Sequence, residues 1–135
     1  MSFVSVRLIT ADVHRLADFY ERLLGTPAAR TGDVFAELPT AVGTLAIGSL
    51  ATVAMLGEGV VRPGENRSAI VEFLVDDVDA RYAEVADFLA DVVAPPTTMP
   101  WGNRSLLVRD PDGNLVNLFT PVAPQAVEKF AGIPR

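Results

Sequence analysis

The feature that most constrains this chain is an internal repeat. When Asp12 is laid over Asp77, the segment VSVRLITADVHRLADFYERLL aligns with AIVEFLVDDVDARYAEVADFL. Each copy has the pattern of a strand followed by an amphipathic helix. The shared Asp stands at the predicted helix start, where a short acceptor side chain can cap the free N–H groups of the first turn. The repeat therefore predicts two copies of one supersecondary unit.

Short strand-like segments bounded by turn residues follow each predicted helix. They lie at residues 34–38, 43–47, 52–56, 91–94, 105–109 and 115–120. The segment Asp110-Pro111-Asp112-Gly113 predicts a hairpin turn, because Pro fixes φ and Gly accepts positive φ. The sequence thus predicts an α+β chain built from two tandem βαβββ modules.

The predicted modules belong to one domain that spans residues 1–135. The first module covers about residues 1–57 and the second about residues 68–121. Residues 122–135 are predicted to form a Pro-bounded tail with one short helix.

Composition excludes several classes of function. The chain has no cysteine, which removes thiolate catalysis, disulfides and Cys-based zinc sites. Its net charge is −6 and its basic residues are scattered, so nucleic-acid binding is not expected. No signal peptide and no apolar run of membrane-spanning length is visible, and we expect a cytoplasmic protein with no membrane partner.

The predicted strands have two different faces. Val4, Val6 and Leu8 form an apolar row, which we expect to pack under the helix. The alternate positions in the second half mix polar and apolar side chains. They include Ile70, Glu72, Leu115, Asn117 and Phe119. A mixed face of this kind predicts the lining of a ligand cavity.

Three stretches carry a resemblance to a known family: ADVHRLADFYERLLG, FLVDDVDARYAEV and PPTTMPWGNRSLLVRDPDGNLVNLFTP. The chain resembles the vicinal oxygen chelate superfamily, which includes glyoxalases, bleomycin resistance proteins and extradiol dioxygenases. The resemblance implies paired βαβββ modules that form an incomplete barrel around a cavity. It also implies a homodimer, and unpaired edge strands in each module favour such an assembly.

The resemblance places the family's metal-ligand positions at Ser5, Ile70 and Asn117, with a fourth near 52–54. None of these side chains is a usual ligand for a divalent ion. The only histidine, His14, lies on the outer face of the first predicted helix. We therefore expect no metal and no other cofactor.

The segment Trp101-Gly102-Asn103-Arg104 resembles the metal-free, drug-binding branch of the superfamily. Trp101 is either a stacking platform for a planar ligand or a loop anchor packed on the rim. Arg104 either binds a ligand carboxylate or carbonyl, or pairs with a nearby acid. Phe35 either adds an aromatic wall to the cavity or belongs to the core.

Arg7 and Glu72 occupy equivalent positions in the two repeats and are both predicted to face inward. They either neutralise each other or serve a ligand, with Glu72 as anionic anchor or general base and Arg7 as an oxyanion or carboxylate contact.

Three functions follow from the sequence. The first is a metal-independent protein that binds or sequesters an aromatic or antibiotic-like compound. The second is a metal-free lyase or isomerase acting on a small carbonyl compound, with Glu72 as its base. The third, a glyoxalase- or dioxygenase-type metalloenzyme, is disfavoured by Ser5, Ile70 and Asn117. The candidate ligand-binding residues are Arg7, Glu72, Trp101, Arg104, Asn117 and Phe119.

Overall fold

The computed structural model describes residues 1–135, which divide into two compact units. The first unit comprises residues 1–66 with 111–113, and the second comprises residues 67–110 and 114–135. The first contains β1 (Ser5–Ile9), α1 (Val13–Leu24), β2 (Ala29–Thr31), β3 (Phe35–Pro39), β4 (Thr44–Gly48) and a 3₁₀ helix, Leu50–Leu56. Its sheet has the order β1-β4-β3-β2, in which β1 and β4 are parallel.

The second unit repeats this order of elements. It contains β5 (Ile70–Leu74), α2 (Val78–Val85), a 3₁₀ turn (Ala86–Phe88), β6 (Val92–Thr98), β7 (Asn103–Arg109), β8 (Leu115–Pro121) and α3 (Pro124–Phe130). Its sheet has the order β5-β8-β7-β6, in which β5 and β8 are parallel. The α+β class and the paired βαβββ modules are confirmed, and both four-stranded sheets are open.

Both α1 and α2 begin at the acidic residue that the repeat predicts. The Asp12 side chain accepts a hydrogen bond of 3.0 Å from the Arg15 N–H, and the Asp77 side chain accepts one of 3.0 Å from the Ala80 N–H. Each contact satisfies an N–H group that the first helical turn leaves free. Helix α1 ends at Gly25, whose φ of 68° suits a residue without a Cβ.

Each helix packs on one face of its own sheet. Helix α1 lies against β3 and β4, and α2 lies against β6, β7 and β8. The core of the first unit consists mainly of Leu16, Ala17, Tyr20, Leu23, Ala36, Leu38, Leu45 and Ile47. That of the second consists mainly of Val78, Val85, Leu106, Val108, Val116 and Leu118.

The prediction that the apolar row of β1 is covered by its helix is wrong at the start of the strand. Val4 is 70% exposed and Val6 is 39% exposed. The physical reason is the position of β1 at the edge of its sheet, where it pairs only with β4 and lies outside the two strands, β3 and β4, on which α1 packs.

The predicted strand at 52–56 is also wrong, because these residues lie in the 3₁₀ helix. The three strands after α1 are β2, β3 and β4, and the sequence interpretation missed β2. The 3₁₀ helix turns back over β4: a Cβ built at Gly48 would lie 2.7 Å from Thr52 Oγ1. Thr52 Oγ1 in turn donates to the Ser49 carbonyl at 2.7 Å, which holds this turn closed.

In both units a short helix follows the last strand. In the first it is Leu50–Leu56 and in the second it is α3. None of the helices combines the length and the apolar character needed to cross a bilayer.

Candidate functional site

The side of the second sheet that faces away from α2 carries three of the six predicted ligand-binding residues, Glu72, Asn117 and Phe119. Because strand residues alternate between faces, the pairing register defines its members. Glu72 lies beside Asn117, which lies opposite Leu107 on β7. We call this surface the Glu72 face, and its residues on the three strands are Ile70, Glu72, Leu74, Asn103, Ser105, Leu107, Arg109, Leu115, Asn117 and Phe119.

Glu72 and Asn117 form the polar centre of the Glu72 face. Asn117 Nδ2 donates a hydrogen bond of 2.8 Å to Glu72 Oε2. Glu72 is exposed, whereas Asn117 is only 7% exposed. A carboxylate accepts hydrogen bonds and does not donate them, so the contact fixes the orientation of the Asn117 amide. The amide turns its NH2 group to Glu72 and its oxygen elsewhere.

The buried oxygens of the Glu72 face lack partners. Five buried side-chain atoms in the chain have no hydrogen-bond partner, and three of them belong to this face: Asn103 Oδ1, Ser105 Oγ and Asn117 Oδ1. Ser105 is 1% exposed. A buried polar group without a partner is costly, and such groups are satisfied in native proteins by ligands or ordered water. These atoms make the Glu72 face the candidate site for a ligand or for ordered water.

Phe119 lies at the end of the Glu72 face that α3 covers. Its ring packs edge-to-face on Phe130 of α3, with 5.1 Å between the ring centroids, and Phe119 is 6% exposed. It thus forms an apolar wall beside Ser105, its partner in the register. The open part of the face is mixed in character, since Ile70 is exposed and Leu115 is half-buried.

Arg104 lies on the opposite face of the same sheet. Its guanidinium makes two hydrogen bonds to Asp79 at the start of α2, Nε to Oδ2 at 2.6 Å and Nη2 to Oδ1 at 2.8 Å. These bonds hold the pKa of the Asp79 carboxyl below its ordinary value and raise the pKa of Arg104. Of the two sequence interpretations of Arg104, pairing with a nearby acid is the one found, and the structure does not bring Arg104 together with Asn117.

Trp101 stands in the turn between β6 and β7. It is 61% exposed, and its indole makes no ring contact and no hydrogen bond within the chain. The turn itself is fixed, because the Gly102 carbonyl accepts hydrogen bonds from the N–H groups of Val122 and Ala123 at 2.9 and 3.0 Å. An exposed ring on a fixed turn fits a stacking platform better than a packed anchor.

The first unit carries the corresponding residues on its own sheet. Arg7 is exposed and lies beside Ala46, which lies opposite Glu37 on β3. Phe35 is half-buried at the end of the same row of positions, 3.6 Å from a Cβ built at Gly48. Whether Arg7 serves a ligand or pairs with Glu72 stays a prediction.

Ser105 is a buried polar residue of the Glu72 face that the sequence interpretation missed. A signal was present, because the hairpin turn at 110–113 sets the register of β7 on β8. In that register Leu107 and Ser105 lie on the same face as Asn117, and Arg104 lies on the other face. Ser105 and Arg104 are consecutive residues of β7, so their side chains lie on opposite faces of the sheet.

The positions at which the superfamily holds a metal do not fit one here. Because the last strand of the first unit is β4, the position equivalent to Asn117 is Ala46 and not a residue of 52–54. Ser5, Ala46, Ile70 and Asn117 offer no carboxylate, imidazole or thiolate, which are the ligands that divalent transition metals select. No group of three or more His, Asp or Glu side chains is gathered to hold a metal ion.

Paired βαβββ units with parallel first and last strands define the class of fold, and comparisons with known proteins identify the family. The family model of the Glyoxalase/Bleomycin resistance protein/Dioxygenase superfamily matches residues 2–118. The chain belongs to this superfamily. A search of curated proteins gives no match.

Solved structures share the fold. A glyoxalase/bleomycin resistance protein/dioxygenase from Nocardioides is 19% identical with a TM-score of 0.72, covering 92% of this chain and 85% of its own. A glyoxalase-related enzyme from Fulvimarina pelagi is 17% identical with a TM-score of 0.74, covering 89% and 88%. A protein from the mobile metagenome of V. Pseudocholerae is 27% identical with a TM-score of 0.69, covering 89% and 94%.

Proposed function

We propose that this chain is a metal-independent small-molecule-binding protein that takes an aromatic or antibiotic-like ligand on the Glu72 face. Stoichiometric sequestration of such a compound in the cytoplasm would make a cell resistant to it. The residues that would hold the ligand are Glu72, Asn117, Ser105 and Phe119, with Trp101 as a stacking surface.

The observation that carries the proposal is the buried, unpartnered Oδ1 of Asn117 beside an exposed carboxylate. Asn117 Oδ1 is held in place because the amide nitrogen is engaged by Glu72. A solvated sheet face would leave the oxygen to bulk water, but Asn117 is 7% exposed. Apolar Ile70 and Leu115 flank the pair, and an apolar lining with a few fixed polar groups is typical of small-molecule sites.

A library of aromatic antibiotics and metabolites tests the proposal. Binding is measured by calorimetry and by the side-chain amide signals of Asn117 in ¹H–¹⁵N spectra. We expect Asn117→Leu, which keeps the volume and removes the polar contacts, to weaken binding by about tenfold. Arg104→Ala is the matched control, since it truncates a side chain on the opposite face of the same sheet. Loss of binding in Arg104→Ala with Asn117→Leu unaffected would place the ligand elsewhere.

A metal-free enzyme is the second candidate, and one observation favours it. Only Oε2 of Glu72 is engaged by Asn117, so Oε1 is available to take a proton from a substrate carbon or water. Glu72→Gln separates the two functions in one assay on a small carbonyl compound. Loss of turnover with binding retained identifies an enzyme, whereas loss of affinity without any turnover in the parent protein identifies a sequestering protein.

A further inference from the structure

We infer that the Glu72 face selects ligands that carry a protonated amine or amidinium group on an apolar body. This inference rests on the proposed function and adds the chemical class of the ligand. It follows from which atoms of the face lack partners and from what those atoms can accept.

The unpartnered atoms are hydrogen-bond acceptors. Asn117 Oδ1 accepts only, because the Asn117 NH2 group is already directed at Glu72. Glu72 Oε1 also accepts only while the carboxylate is ionised. Ser105 Oγ both accepts and donates, and it is buried without a partner. A ligand group rich in N–H donors satisfies all three atoms, whereas a carboxylate or phosphate satisfies at most the Ser105 hydroxyl.

Asn117 is a neighbour of each of the other two groups on the face. Asn117 lies directly beside Glu72 across the β5–β8 pair. Ser105 lies opposite Phe119, which makes it the diagonal neighbour of Asn117 on the same face. Diagonal neighbours in an antiparallel pair have Cβ atoms within about 7 Å, so an ammonium between the side chains reaches both. An ammonium or amidinium group that donates to Asn117 Oδ1 has further N–H donors for Glu72 Oε1 or Ser105 Oγ.

Charge points to the same class of ligand. Glu72 makes one hydrogen bond, to the neutral Asn117 amide, and no ion pair with a cationic side chain of its own unit. Arg109 shares the face but has interactions of its own. A ligand cation would therefore be the ion-pair partner of Glu72, and charge-assisted hydrogen bonds are about twice as strong as neutral ones. The half-buried Leu107 and Leu115 receive the apolar body of the ligand.

Four phenyl compounds of one size test the inference on the full chain at pH 7: benzylamine, benzamidine, benzyl alcohol and benzoate. Affinity is measured by calorimetry and the site by the Asn117 amide signals. We expect both cations to bind at least about fivefold more tightly than benzyl alcohol, and benzoate to bind most weakly. Glu72→Gln should abolish this order, while the control Glu84→Gln, on α2, should retain it. Ser105→Ala should weaken benzylamine about threefold, and the exposed control Ser68→Ala should not.

Equal affinity for benzyl alcohol and benzylamine, or a preference for benzoate, would overturn the donor class while leaving the Glu72 face as a ligand site. The same cation preference in Glu72→Gln would also overturn it, because net charge rather than Glu72 would then be responsible. If no compound shifts the Asn117 signals, the inference fails, and the proposed function is then decided separately by the antibiotic library.

Discussion

Asn117 donates its side-chain N–H to Glu72 at 2.8 Å, and the contact joins the first and last strands of the second unit across their parallel pairing. In the first unit the equivalent pair is Arg7 and Ala46, which make no such bond. The two copies of the repeat therefore share one fold but carry different functional groups at equivalent positions. An acceptor-rich centre lies on one sheet, and an exposed cation beside a methyl group lies on the other.

We predict that the purified protein contains no stoichiometric divalent ion. Ser5, Ala46, Ile70 and Asn117 occupy the superfamily's ligand positions and lack the donors that such ions select. Elemental analysis after removal of any purification tag should find well below one Zn, Mn, Fe or Ni per chain. A value near one per chain would refute the prediction and revive the metalloenzyme hypothesis.

We predict that the chain forms a homodimer in solution. Strands β1 and β5 are edge strands of their sheets. Three exposed apolar residues lie around the start of β1: Phe3, Val4 and Val42. The ring of Phe3 lies 3.6 Å from a Cβ built at Gly43. Exposed edges and apolar patches favour association with a second copy. Light scattering at micromolar concentration should give twice the chain mass, and Phe3→Asp should shift the population toward monomer. A monomer at all concentrations would contradict this.

The ion pair between Arg104 and Asp79 predicts a pH-dependent contribution to stability. Arg104 lowers the pKa of Asp79. A group whose folded-state pKa is depressed stabilises the fold above its unfolded pKa and loses this effect as pH falls through the folded value. Arg104→Ala should therefore lower the melting temperature at pH 7, by about 3 °C or less because the pair is at the surface. The difference from the parent protein should shrink below about pH 4. An equal difference at pH 3 and pH 7 would show that the packing of Arg104, not its charge, matters.

The elements that the sequence predicted are those with two independent local signals. Asp12 and Asp77 combine a capping residue with a periodic apolar face, and both are observed as N-caps. The segment Leu50–Leu56 has only apolar and small residues, a pattern common to buried strands and short helices, and periodicity alone does not separate the two. Strand β2 is three residues long, too short for any alternation to be visible.

The sequence predicts part of the candidate site, namely the residues whose strands carry a clear local signal. Glu72 and Asn117 were assigned to one face because each lies on a strand with a clear alternation. The resemblance of the segment 101–104 adds Arg104 to the candidates, but a shift of one residue reverses the face of a strand side chain. The pairing of Arg104 with Asp79 is a contact between β7 and α2, and such a contact depends on tertiary packing that no local pattern encodes.

Gly102→Ala should destabilise the protein for two reasons that a control can separate. Gly102 has φ of 94°, and an added Cβ would lie 2.6 Å from the Ala123 Cβ at the start of α3. We expect a loss of about 2–3 kcal/mol in the free energy of unfolding. Gly32→Ala is the matched control, since Gly32 has φ of 54° with nothing within 4 Å, and it should cost about 1 kcal/mol. Denaturant unfolding measures both, and equal losses would show that the contact with Ala123 is unimportant.

Trp101→Ala should weaken the binding of a planar ligand without lowering the melting temperature. The indole is 61% exposed, so its removal leaves no cavity, while the loss of one stacking surface costs about 1 kcal/mol, or roughly a fivefold change in affinity. Trp101 is the only tryptophan, so quenching of intrinsic fluorescence by a ligand is assigned to it directly. Val122→Ala is the control for the loss of exposed apolar surface beside the same turn, and it should leave affinity unchanged. If Trp101→Ala instead lowers the melting temperature while ligand affinity, measured by calorimetry, stays constant, Trp101 is a packed anchor of the turn and the stacking hypothesis is wrong.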